Sequence, residues 1–230
     1  CNLLCLGRSP PPVSFSLCNL PLPVTKFSKD LGVIIDPDLR FRIHIQDIVT
    51  RAKQRAAIIH RSFISRKCHN LLLAFTTYVR PLLEYATQTW SPYLLSLINS
   101  IESVQRAFTK RLPGFFNLSY AERLNKLKLQ SLEHRRLLFD LIMCFNIVRG
   151  LNSLHFDDFF SFSNNNRTRG HSFKLTVPLT KTNFTKFSFS SRVVPIWNSL
   201  PQKLVSAPSA FAFKKLLSAH NLSPFLTLPN

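Results

Sequence analysis

Two adjacent aspartates, Asp157 and Asp158, sit among bulky apolar residues in the stretch HFDDFF, residues 155–160. Paired carboxylates can hold two divalent ions roughly 4 Å apart for an in-line phosphoryl displacement, provided a tight strand-turn-strand presents them and a further carboxylate joins them. Here the aromatic residues fall at 156, 159 and 160, the i, i+3, i+4 spacing of one helical face. That spacing puts both acids in a first helical turn, where the helix dipole favours negative charge. The nearest upstream acids, Asp140 and Glu133, lie in a helical segment without glycine-rich or β-branched strand signals. The expectation is a helical turn, with no metal assigned to this chain.

Other catalytic constellations are weaker still. Cys68-His69, with His60 or His44, has irregular spacing for zinc and no second cysteine pair. The 5 cysteines contain no CxxC pair, which argues against both a zinc ribbon and a disulfide framework. No GxSxG elbow supports a nucleophile, and 5 scattered glycines build no phosphate-cradling loop.

Basic residues form the stronger pattern. A formal charge of +19 exceeds what solubility requires and points to a polyanionic partner, most often nucleic acid. All 11 acids lie at or before Asp158, so the last third of the chain has nothing to neutralise its cations. Arg66-Lys67, Arg106-Lys110-Arg111, Lys126-Lys128 and Arg135-Arg136 fall at expected helix ends or polar faces, and Arg167, Arg169 and His171 on an expected polar loop. The residues expected to contact phosphates are Arg51, Arg55, Lys110, Arg111, Arg135, Arg136, Arg167 and Arg169.

The elements that would position these groups can be read from periodicity. Residues 1–36 suggest short strands separated by turns, with Leu31 to Ile35 as a buried strand. From Ile43 the period becomes helical: Ile45, Ile48, Val49, Ala52, Ala56, Ile59 and Phe63 form one apolar stripe. A second helix is expected from Asn70 to Trp90, bent or divided by Pro81. A third runs from Leu94 to about Lys110 and stops at Pro113-Gly114. Ser119 and Glu122 make a capping box for a short helix, and Ser131 to Arg149 is a long one ending at Gly150. Strand-like pieces follow at Phe173–Val177 and Phe184–Phe189, then a helix from Ser209 to His220.

A chain of 230 residues with 45% apolar content and 21 Phe can build a core without staples, in one or two domains. No apolar run approaches a membrane span, and the opening CNLLCLG is too short for a signal core. The expectation is an intracellular protein, nuclear or cytoplasmic, that is neither secreted nor membrane-bound. Because residue 1 is Cys and Met143 is the sole methionine, something upstream is expected to be missing.

Read together, LPLPV (20–24), KDLGVIID (29–36), TYVRPLLEYATQTWSP (77–92), IESVQRAFTKRLPG (101–114), LSYAERLNKLKLQSLEHRRLLFDLI (118–142), TRGH (168–171) and SRVVPIWNSLP (191–201) resemble the C-terminal part of reverse transcriptases of jockey-like non-LTR (LINE-type) retrotransposons. The resemblance extends over nearly the whole chain. It implies the end of a β-rich palm over 1–40, a helical thumb-like domain over 41–150 and a basic C-terminal extension over 151–230. The expected fold class is thus mainly α: a thumb-like bundle preceded by a small hairpin and followed by an irregular basic extension with short strands and a terminal helix. The family's catalytic aromatic-Ala-Asp-Asp box precedes the KDLGV strand, so HFDDFF stands beyond the thumb and this fragment should not polymerise alone. The parent RNA-directed DNA polymerase would use Mg2+; the fragment would use no cofactor. Its implied partners are the backbone of an RNA template and DNA primer, and the absent palm and fingers of the same polyprotein. The rival expectation is a non-catalytic remnant or a structural, protein-binding helical module.

Overall fold

A computed structural model describes residues 2–7, 14–163 and 170–228. The chain is mainly helical, with two small antiparallel strand pairs near its N-terminus. It forms two compact units, one of Cys1–Ala86 with Pro92–Leu118, the other of Thr87–Ser91 with Ser119–Asn230.

The first unit opens with two hairpins. β1 (Ser16–Leu17) pairs with β2 (Leu20–Pro21), and β3 (Ser28–Asp30) with β4 (Val33–Ile35). Both turns use positive φ at two central residues, Cys18 and Asn19 in the first, Leu31 and Gly32 in the second. That geometry matches the right-handed twist of the flanking strands and favours glycine at the second central position. The expected strand from Leu31 therefore begins two residues later: Leu31 is at the tip, 85% exposed, and only Val33 is fully buried. The Tyr85 hydroxyl donates to the Leu31 carbonyl at 2.9 Å.

Helix α1 (Arg42–Ser62) buries Ile45, Ile48, Val49, Ala52, Ala56 and Ile59, as its spacing predicts, and packs against α4 (Leu95–Lys110) through Ile98, Ile101, Val104 and Phe108. Between them in sequence, the expected second helix is divided. α2 (Cys68–Ala74) widens into a π turn at Phe75–Val79 and tightens into a 3-10 turn at Arg80–Leu83 around Pro81. Pro81 has no N–H for a continuing α-helix, and the altered turns absorb the register change. Phe75 stacks on Phe108 with ring centroids 4.5 Å apart.

The second unit takes α3 (Thr87–Trp90), then α5 (Tyr120–Leu127) and α6 (Leu132–Val148). The capping box forms as read: Ser119 Oγ accepts from the Glu122 N–H, and Glu122 accepts from the Ser119 N–H at 2.7 Å. Gly150 adopts φ +61 beyond the end of α6, the left-handed residue that a helix C-terminus favours. α7 (Asn183–Phe187), α8 (Phe189–Ser199), α9 (Gln202–Val205) and α10 (Ala210–Ser218) complete it. Phe145, Trp197 and Phe213 form the centre of its core, with Phe145 and Phe213 stacked at 4.3 Å. The strand-like Phe184–Phe189 is helical instead: Thr182 caps the N-terminus by accepting from the Thr185 N–H. At 173–177 the only ladder contact among the described residues is the isolated bridge Phe162–Leu175.

One arginine ties this unit together. Arg192 of α8 donates to both carboxylate oxygens of Asp140 on α6, at 2.8 and 3.0 Å. It also donates to the Gln88 carbonyl at 2.9 Å, the Thr87 carbonyl at 3.4 Å and the Phe187 carbonyl at 3.1 Å. Burial pushes the Asp140 carboxyl up, while the Arg192 guanidinium opposes that shift.

Candidate nucleic-acid interface

The expected contact residues do not all reach solvent. Arg51 is half exposed and pairs with Asp47 one turn earlier at 2.7 Å. Arg55 is exposed, and its Nη1 donates to the Tyr78 carbonyl at 3.1 Å, which ties α1 to the π turn. Lys110 and Arg111 are exposed at the end of α4, where cations complement the negative end of the helix dipole. Arg135 is half-buried, with its guanidinium 5.3 Å from the centroid of Phe139. Arg167 and Arg169 lie outside the described residues.

Arg136 and His171 depart from the surface roles expected of them. Arg136 is 2% exposed, on the buried row Leu132, Arg136, Asp140 and Cys144 of α6. Its charge acts on the Asp140 carboxylate, so it serves the interior of the second unit. Helical spacing from Leu132 would have disclosed this. His171 is 3% exposed: Nδ1 accepts from the Phe173 N–H at 3.2 Å, leaving Nε2 to donate to the Trp197 carbonyl at 2.9 Å. Burial holds its imidazole below the ordinary pKa. This is a core histidine that fixes a turn, in place of the flexible contact expected.

Within the first unit, the ends of α1 and α4 come together. The His60 ring lies tilted against Phe108, with centroids 4.4 Å apart. Burial lowers its pKa first, and the charges of Arg111 and Arg66 lower it further, so both guanidinium groups stand within electrostatic reach of one ring. Residues 48–83 and 103–118 contain no acid, which leaves this region positive. Sequence reading missed Phe116, which is 68% exposed and lies under the Lys110 ammonium at 4.9 Å from its centroid. A ring beside a basic helix end was the available signal.

Asp157 and Asp158 are both exposed, in and at the end of a 3-10 turn at Phe156–Asp158, while Phe160 is buried and Phe156 and Phe159 are packed against the same core. The helical reading of HFDDFF holds. No group of three or more His, Cys, Asp or Glu among the described residues is arranged to hold a metal ion. The donor set of the described residues therefore does not fit a two-metal centre, and no metal-dependent step is assigned to it. No helix among the described residues is long and apolar enough to cross a membrane.

No family model matches the chain, and no solved structure matches it. An uncharacterized protein of Caenorhabditis elegans is 28% identical over 138 residues, covering 59% of this chain and 69% of that protein. A probable RNA-directed DNA polymerase from transposon X-element of Drosophila melanogaster is 31% identical over 110 residues, covering 46% of this chain and 12% of that protein. The second match supports a relationship between part of this chain and a transposon-encoded reverse transcriptase. The matched region is a small part of that polymerase.

Proposed function

We propose that this chain is the end of the palm, the thumb-like helices and the basic trailing region of a jockey-like non-LTR retrotransposon reverse transcriptase. In this reading it grips the backbone of the template-primer duplex and leaves the chemistry to carboxylates elsewhere in the polyprotein. The observation that carries it is a net charge of +19 on a chain related in part to a transposon polymerase. Exposed Arg55, Lys110 and Arg111, with half-buried Arg135, supply groups at helix faces and ends; Arg167 and Arg169 would add to them. A polymerase must slide on any sequence, so phosphate and 2′-hydroxyl contacts suit it better than base-edge readout.

Binding of a labelled RNA/DNA hybrid, followed by anisotropy over a salt series, tests the proposal. About five neutralised phosphates give a log-log slope near −4, so a fourfold rise in salt weakens binding by roughly a few hundredfold. A flat response overturns it. Lys110→Glu with Arg111→Glu should weaken binding without unfolding the protein, since both side chains are exposed.

A protein-binding module is the second reading, favoured by exposed Val177, Leu179 and Phe184. The same charge reversals separate the two, because a hydrophobic partner would remain attached.

A further inference from the structure

An exposed aromatic ring in the first unit raises a question that backbone gripping does not answer. The chain leaves α4 through Leu112, which is 2% exposed and anchors the exit. Gly114 at φ +81 then allows a sharp reversal. Two successive turns follow, the Phe115 N–H donating to the Leu112 carbonyl at 3.1 Å and the Leu118 N–H to the Phe115 carbonyl at 3.3 Å. Of the phenylalanine pair held between them, Phe115 is half-buried and Phe116 is turned outward. A ring that contributed only packing would be expected to follow Phe115. Phe116 is instead 68% exposed, although the Lys110 ammonium covers part of it.

The surroundings define the ligand chemistry. Arg111, next to Lys110, is also exposed. A presented aromatic face flanked by cations in an acid-free region matches the way non-specific proteins hold single strands, by base stacking between phosphate contacts. A lipid surface fits less well, because one ring beside Pro113, Gly114 and Asn117 supplies no apolar helical face to insert.

We propose that Phe116 is a stacking platform for an unpaired base, with Lys110 and Arg111 receiving the neighbouring phosphates, so that the chain prefers a duplex with a single-stranded tail over a blunt one. This rests on the nucleic-acid reading above and adds the strand state to it.

The experiment compares the full chain on a blunt RNA/DNA hybrid, on the same hybrid with an eight-nucleotide poly-dT tail (about half the upper site size of single-strand-binding folds), and on the tail alone. The tailed hybrid should bind about tenfold tighter than the blunt one. Phe116→Ala should remove that preference and leave blunt-duplex affinity and thermal stability unchanged; Phe116→Trp should retain it. In the Trp variant the emission of the exposed indole should be quenched by the tail, whereas the native Trp90 and Trp197 are buried and stay silent. Equal binding of tailed and blunt hybrids, or a Phe116→Ala chain that keeps the preference, overturns the platform while the backbone reading stands. Failure to bind any of the three probes overturns both.

Discussion

Arg192 shows how much a single side chain can decide. Its partner Asp140 has a side chain 6% exposed, against 17% for Arg192 itself, so removing either one strands a charge in the interior. Arg192→Leu or Asp140→Leu should each destabilise the chain by about 3 to 5 kcal/mol. The double variant should lose less than the sum, because the Arg192–Asp140 pair is then removed together, although buried Arg136 still loses the Asp140 carboxylate. Urea unfolding of the three variants reads the difference. His44 gives a second residue-scale expectation. Its Nδ1 accepts from the Ile34 N–H at 3.3 Å, joining β4 to α1. Burial lowers its pKa from 6.5 to about 4; Asp47 opposes the shift, while Arg51 and Lys29 add to it. The unfolded chain therefore binds the extra proton between these values. The His44 contribution, on the order of 3 kcal/mol, is complete above pH 6.5 and is lost as pH falls toward 4. His44→Gln should flatten the urea midpoint over that window relative to the native chain, although His60, His134 and His171 keep part of the slope through their own burial.

Among the elements, those with local signals formed where the sequence placed them. Ser119 with Glu122, Ser131 before α6 and Ser209 before α10 each mark a helix start, and each side chain accepts an N–H from three residues on. Ser119→Ala should cost about 1 kcal/mol, seen as a lower midpoint in thermal unfolding of the second unit. The misread elements turned on local cap and turn geometry that the apolar pattern conceals. Phe184–Phe189 looks like a strand in isolation, but the Thr182 cap starts a helix there. Leu31 looked like the start of a buried strand because its turn needs positive φ at two positions, and only Gly32 advertises that conformation. For the candidate interface, the exposed positions Arg55, Lys110 and Arg111 were legible from helix polarity. Arg136 was misjudged because adjacency to Arg135 concealed its place on a buried row, and Phe116 was overlooked because a ring's outward orientation is set by the turn that carries it.

At the level of the whole molecule, the chain divides into two units whose segments interleave. Thr87–Ser91 is inserted between the two segments of the first unit but belongs to the second. A shortened protein of residues 119–230 would therefore lack the Thr87 and Gln88 carbonyls that bind Arg192, together with Trp90, which is 1% exposed. It should be less stable than the second unit in the intact chain, and a peptide of residues 87–91 added in trans should recover little, since it regains no linkage to the rest. Hydrogen exchange at α6 and α8 would register the loss as faster opening.

The same insertion sets a schedule for synthesis. The bonds from Arg192 to Gln88 and Thr87 span 104 and 105 positions. A ribosome adding about 5 to 20 residues per second leaves that short piece waiting roughly 5 to 20 s for its arginine. During the interval the Thr87 and Gln88 carbonyls lack their native donor, so pausing or truncation just before codon 192 would leave α3 incompletely held while the first unit already has all its residues.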